Sequence, residues 1–109
     1  MSLATTTDAT FDQEVLQSPS PVLVKFTADW CPPCYMVAPV LDRIATDEAD
    51  RLTVVSLDYD LNPEISQRYH VLGLPTMALF SQGEMVARIV GAKPRTAIMR
   101  ELEPHLAPR

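Results

Sequence analysis

Two adjacent prolines held between two cysteines restrict this chain more than any other feature. Trp30-Cys31-Pro32-Pro33-Cys34 stands between a strand-like run and a helix-like run. Proline is excluded from a helix interior but accepted in its first turn, so a helix can start here and not span the motif. The run before it, Val22-Leu23-Val24-Lys25-Phe26, has the continuous β-type character of a strand buried in a parallel sheet, broken only by Lys25. Cys31 and Cys34 are the only cysteines. At the mouth of a helix their sulfurs can reach each other without unfolding anything. One of them also lies where unpaired N–H groups and the positive dipole end favour negative charge. That environment turns a thiol into a thiolate, the species that attacks disulfides. The motif reads as a redox centre.

Around it the chain alternates strand and helix patterns. Residues 3–6 can form a first strand. Asp8 is a candidate N-cap for a helix carrying Phe11, Val15 and Leu16 on one face, stopped by Ser18-Pro19-Ser20-Pro21. After Cys34, the residues Val37, Val40, Leu41, Ile44 and Ala45 make one apolar stripe, with Pro39 expected to kink that helix. Residues 52–57 read as the next strand. Two strands around one helix make a right-handed βαβ unit, which puts the cysteines at a carboxyl edge of the sheet. Asn62-Pro63-Glu64 is a helix start, with Ile65 and Tyr69 facing inward. Gly73-Leu74-Pro75-Thr76 leads into a strand over 77–80, and Ser81-Gln82-Gly83-Glu84 turns it into a hairpin partner over 85–90. Gly91 breaks that strand. Pro94 opens a last helix with Ile98, Leu102 and Leu106 inward. With no repeat, linker or low-complexity stretch, the expectation is one α/β domain over residues 1–109.

Composition narrows the partners. The 47% hydrophobic and 21% charged residues suit a globular chain rather than a disordered one. A net charge of −5 with no basic stripe argues against nucleic acid. The N-terminus lacks a basic-then-apolar leader, and no apolar run reaches membrane-spanning length, so a cytoplasmic protein with no membrane partner is expected. In that compartment a Cys-x-x-Cys pair is catalytic or metal-binding rather than a structural staple. A zinc site needs further ligands, and His70 and His105 are too few and badly placed, so no metal is expected. His70 reads as a helix C-terminal cap. Asp58, Asp60 and Glu64 read as a solvated, capping cluster, because their spacing is not that of a calcium loop. Met36, Met77, Met85 and Met99 read as core filler.

The motifs Ala28-Asp29-Trp30-Cys31-x-Pro33-Cys34, Ala38-Pro39, Asp60-x-Asn62-Pro63, Gly73-Leu74-Pro75-Thr76, Gly83 and Val90-Gly91-Ala92 stand in an order and spacing that resembles the thioredoxin family over residues 11–106. The resemblance implies a thioredoxin fold: a central mixed sheet of about five strands flanked by four helices. It implies a disulfide reductase in which Cys31 is the exposed nucleophile and Cys34 the buried resolving cysteine, the two forming a reversible disulfide without a cofactor. Cys31 thiolate attacks a substrate disulfide, and Cys34 then releases the reduced product from the mixed disulfide. Pro75 corresponds to the family's cis-proline. Trp30, Pro32, Pro33, Leu74, Gly91 and Ala92 line the surface that holds an extended substrate chain. The implied partners are disulfide-bearing proteins and a flavin-containing thioredoxin reductase, and the implied state is a monomer.

Three departures stand out. Pro32 replaces the usual glycine, as in tryparedoxins and nucleoredoxins, and the stiffer ring is expected to shift the potential towards a more oxidising value. Lys25 stands where the family has a buried aspartate beneath the resolving cysteine, and Ser56 where it has the partner lysine. Lys25 is therefore a candidate catalytic group, stabilising a thiolate if charged or acting as base if neutral. The alternative puts it at the sheet edge, reaching to water. Tyr35 replaces a basic residue and Thr27 an aromatic one, changes that bear on partner recognition. Besides the reductase, two readings remain: a non-catalytic interaction module of the same fold, and a more oxidising specialised exchange protein.

Overall fold

The computed structural model describes residues 3–109; Met1 and Ser2, included in the one-domain reading and in the reading of the N-terminus, lie outside the described residues. The strands are β1 (Ala4–Thr5), β2 (Val22–Thr27), β3 (Thr53–Asp58), β4 (Thr76–Ser81) and β5 (Glu84–Val90). The α-helices are α1 (Pro32–Asp47), α2 (Pro63–Arg68) and α3 (Arg95–Leu102), preceded by a π-helical segment at Asp12–Leu16 and followed by a 3-10 turn at Glu103–His105. The sheet order is β1-β3-β2-β4-β5. β1, β3 and β2 run parallel, and β4 joins β2 antiparallel, with β5 antiparallel to β4. This is the mixed five-stranded sheet flanked by four helices that the sequence implied. Among the described residues no helix is long and apolar enough to cross a membrane.

The alternation of β2 sends its side chains to two separate cores. Leu23 joins Val37, Leu41, Ile44, Met77, Leu79, Ile98 and Leu102 on the face covered by α1 and α3. Val24 and Phe26 join Phe11, Val15, Leu57, Ile65 and Phe80 on the opposite face. Phe11, Tyr69 and Phe80 meet there with ring centroids 5.0–5.7 Å apart, two of the three pairs edge-to-face, the arrangement that aromatic quadrupoles favour. The stripe on α1 is as expected: Val37, Leu41 and Ile44 are buried, with Val40 and Ala45 packed beside them. Pro39 does not interrupt that helix. Gln82 and Gly83 both take positive φ, 54° and 84°, which matches the twist of the β4–β5 hairpin.

Five expectations need correcting. The first helix is one π-type turn, in which the Gln17 N–H reaches Asp12 O five residues back. Asp8 does not cap it. Its carboxylate accepts instead from the Glu64 and Ile65 N–H groups, each at 3.0 Å, and so caps α2 across 56 and 57 residues of chain. Asn62, expected to cap α2, uses its side-chain oxygen to accept from the Asp8 N–H at 2.8 Å. Lys25 is not at an edge, because β2 is the central strand and the residue is only 8% exposed. Met36 and Met85 are exposed rather than core filler, whereas Met77 is fully buried and Met99 packs against the core.

Candidate active site

The cysteine turn follows from which backbone N–H groups the helix start has left to offer. An α-helix begins with four N–H groups that have no partner inside the helix. Pro32 and Pro33 occupy the first two helical positions and carry no N–H, so the first donor of α1 belongs to Cys34. That N–H donates to Cys31 Sγ at 3.3 Å and lies 3.0 Å from Cys31 O. Cys31 is thus the N-cap residue, in extended backbone geometry, with sulfur in the role that a serine or aspartate oxygen usually plays. The two sulfurs are joined as a disulfide across a Cα–Cα distance of 5.3 Å.

Both cysteines sit in a small apolar cluster with Ala28, and Leu74 packs against it. Cys31 was expected to be exposed. In the disulfide state it is 3% exposed and Cys34 2%, so exposure does not distinguish them here. Hydrogen bonding does: Cys31 Sγ accepts the helix N–H. Pro75 is buried, and the Leu74–Pro75 peptide is cis. Its carbonyl accepts from the Gly91 N–H at 2.8 Å, which ties the 91–92 turn to the proline loop. Gly91 has φ of 97°, a left-handed geometry that a side chain would strain. The structure therefore brings Cys31, Cys34, Leu74, Pro75 and Gly91 together, with Ala92 exposed next in the chain.

Trp30, Pro32 and Pro33 are exposed around the disulfide. Trp30 is 63% exposed, yet its indole N–H donates to Asp60 Oδ2 at 2.6 Å. On the other side of the turn the Tyr35 hydroxyl donates to Asp29 O at 2.7 Å. The segment before Cys31 is braced from both sides, a feature the sequence reading missed. Its one signal was the acidic cluster, where Asp60 holds Trp30 while Asp58 accepts from the Asp60 and Leu61 N–H groups and Glu64 pairs with Arg68.

Lys25 projects to the α1 side of β2, in the alternation that puts Leu23 there, and pairs in register with Ser56 on β3. Burial lowers its pKa, opposed by the field of Asp42 on α1. Asp42 is eight residues beyond Cys34, about 12 Å along the helix axis. Among the described residues no buried side-chain nitrogen lacks a partner, and Lys25 forms no hydrogen bond, so its ammonium keeps a path to water.

Comparison with known proteins agrees with this geometry. The thioredoxin family model matches residues 2–104. Thioredoxin of Mycobacterium tuberculosis is 55% identical over 96 residues, 88% of this chain and 83% of that protein. Thioredoxin 1 of Synechococcus elongatus is 48% identical over 103 residues, 94% of this chain and 96% of that protein. The bifunctional thioredoxin reductase/thioredoxin of Mycobacterium leprae is 53% identical over 96 residues, 88% of this chain and 21% of that longer protein. Such matches imply disulfide substrates and a reductase partner. With its helix-capping cysteine, its disulfide and this similarity over nearly its whole length, the chain belongs to the thioredoxin family and is a thiol–disulfide oxidoreductase.

Proposed function

We propose that this single domain reduces protein disulfides with Cys31 as nucleophile and Cys34 as resolving thiol. The observation that carries the assignment of roles is the Cys34 N–H donating to Cys31 Sγ at the start of α1. On reduction the same N–H and the helix dipole stabilise a Cys31 thiolate. That thiolate attacks one substrate sulfur, the substrate's other sulfur leaves, and a mixed disulfide forms. Cys34 loses its proton and attacks Cys31 Sγ, which restores the Cys31–Cys34 disulfide and releases the second substrate thiol. Leu74, Pro75, Gly91 and Ala92 offer the backbone edge for an extended substrate. Trp30, Pro32 and Pro33 form the surface against which the partner packs. A reductase, of which the mycobacterial fusion relative offers an example in its name, returns the electrons. The working form is a cytoplasmic monomer that binds neither nucleic acid nor membrane.

Trapping separates the two cysteines. Cys34→Ser is expected to accumulate a mixed disulfide with a substrate protein, seen as a mass shift reversed by dithiothreitol. Cys31→Ser is expected to give no such adduct and no turnover. Adducts on Cys34 alone would reverse the roles.

A more oxidising exchange protein is the second reading, and buried Lys25 favours it. A positive charge on the α1 face stabilises the thiolate, hence the reduced form, and so raises the potential. Equilibration with glutathione buffers tests this. A value near about −270 mV would mark a general reductase. A value tens of millivolts higher, brought down in Lys25→Asp, would assign Lys25 the tuning role.

A further inference from the structure

The chain carries nine Lys and Arg residues, and most are already engaged. Arg51, Arg68, Arg95 and Arg109 form ion pairs, and the Arg88 guanidinium donates to the Tyr69 and His70 carbonyls. Lys25 is buried. Among the described residues this leaves three exposed cations with neither an ion pair nor a hydrogen bond: Arg43, Lys93 and Arg100. Two of the three, Lys93 and Arg100, line one open cleft of about 330 Å³ between β5 and α3, which Arg88 and Glu101 also line.

That cleft abuts the redox site. Val90, one of its walls, is paired with Thr76, the residue after Pro75. Gly91, next in the chain, donates to Pro75 O. The Lys93 side chain folds back over this turn, so that a Cβ built on Gly91 would lie 3.9 Å from Lys93 Cε. A cationic head therefore stands at the lip of the proposed substrate edge, and a second one, Arg100, stands further along the same cleft. The chain is acidic, at −5 overall, and Asp29, Asp58 and Asp60 gather about Trp30, whose indole N–H donates to Asp60 while Asp58 accepts from the Asp60 N–H. A substrate chain lying across the site would meet negative charge on the Trp30 side and positive charge on the Gly91 side.

We propose that the Lys93–Arg100 cleft selects disulfide substrates whose chain carries acidic residues beside the reacting cysteine, on the side that passes Gly91. This rests on the reading of the 74–75 and 91–92 segments as the substrate edge. The contacts are exposed, so each charge pair contributes modestly and acts on the rate of capture as much as on affinity. Ordinary salt screens them.

The test uses reduced wild-type protein and disulfide-bridged peptides of one sequence, with Glu-Glu, Ser-Ser or Lys-Lys placed on either side of the reactive cysteine. Second-order rate constants are measured at low and at high ionic strength. The Glu-Glu peptide is expected to react about three- to tenfold faster than the Lys-Lys peptide in one of the two placements, with the gap closing at high salt. Lys93→Glu with Arg100→Glu is expected to invert that order, read as the ratio of the Glu-Glu to the Lys-Lys rate. Equal rates for all three peptides, with the Ser-Ser peptide reduced normally, would overturn the cleft and leave the oxidoreductase reading intact. A preference for Lys-Lys in wild type would also overturn it. If the preference exists but persists in the double variant, the charges responsible are elsewhere and the assignment to Lys93 and Arg100 fails. Failure to reduce even the Ser-Ser peptide would instead strike the proposed roles of the cysteines.

Discussion

At the scale of single residues, the cysteine turn depends on which N–H groups are missing. Pro33, at the second helical position, withholds one of the two N–H groups that can reach an N-cap side chain, so the Cys31 sulfur keeps one backbone donor, from Cys34. Pro33→Ala, which restores that N–H, is expected to lower the Cys31 thiol pKa in the reduced protein. The pH profile of iodoacetamide alkylation checks it. On donors alone Pro33 works against a stabilised thiolate, so a more oxidising potential would have to come from Lys25. Lys25 has its own thermodynamic signature. Its folded pKa is depressed by burial, so the folded chain holds the proton less tightly than the unfolded chain. The cost is complete below the folded pKa and is relieved as pH climbs from there towards the ordinary lysine value of about 10.4. Lys25→Met is accordingly expected to stabilise the protein by about 1–3 kcal/mol at pH 7, with the gain shrinking as pH climbs towards the ordinary lysine value, measured by urea unfolding. The sequence made Cys31, Cys34 and Pro75 legible through motif spacing. It did not make the Trp30–Asp60 and Tyr35–Asp29 bonds legible, because each joins residues whose proximity only the folded chain creates.

Among the elements, α2 shows how a local rule can name the right residues and the wrong bonds. Asp8 and Asn62 are both capping types, and each was expected to cap the helix that follows it in sequence. Instead Asn62 binds the Asp8 N–H while Asp8 binds the N–H groups of Glu64 and Ile65, so α2 takes its cap from the loop after β1. Asp8→Ala is expected to cost about 1–2 kcal/mol, since it strips two N–H groups of a six-residue helix of their acceptor. Thermal unfolding with amide exchange at residues 64–66 reads it. The strand–helix alternation itself was visible in the sequence because it rests on periodicity. The first helix was overestimated because its apolar face, Phe11 and Val15, is satisfied by a single wide turn before Pro19 ends the pattern.

For the whole molecule, Glu48 gathers the far end. It terminates α1 with its carboxylate largely buried, accepts from Arg51 at 2.7 Å and from Arg109 at 2.9 Å, and lies 3.8 Å from Arg95. Arg51 also reaches Glu103, so this cluster joins α1, the approach to β3 and the C-terminal segment. The hydrogen bonds from Arg109 and Arg51 hold the Glu48 pKa below the usual carboxylate range. Its contribution is therefore present above the ordinary carboxylate pKa and is lost as pH falls through the depressed folded value. Glu48→Gln is expected to lower stability by about 1–2 kcal/mol at pH 7 and to match wild type once acid has protonated Glu48, by unfolding at a series of falling pH values. Nothing in local pattern marks such a cluster, because its members come from positions 48, 51, 95, 103 and 109.

Cys31 and Cys34 are three positions apart, so their bond closes almost the shortest ring a chain can form. A crosslink gains most of its effect on stability from the chain entropy it removes from the unfolded state, and that gain is smallest for short rings. What remains is a thermodynamic cycle. The unfolding free energy of the oxidised protein minus that of the reduced protein equals the free energy of forming the same bond in the unfolded chain minus that of forming it in the folded chain. Every 30 mV of difference in potential between those two states appears as about 1.4 kcal/mol of difference in unfolding. A calorimeter can thus serve as a voltmeter for this site. A more oxidising centre would announce itself as an oxidised protein that melts below its reduced form, and a strongly reducing one as the opposite order.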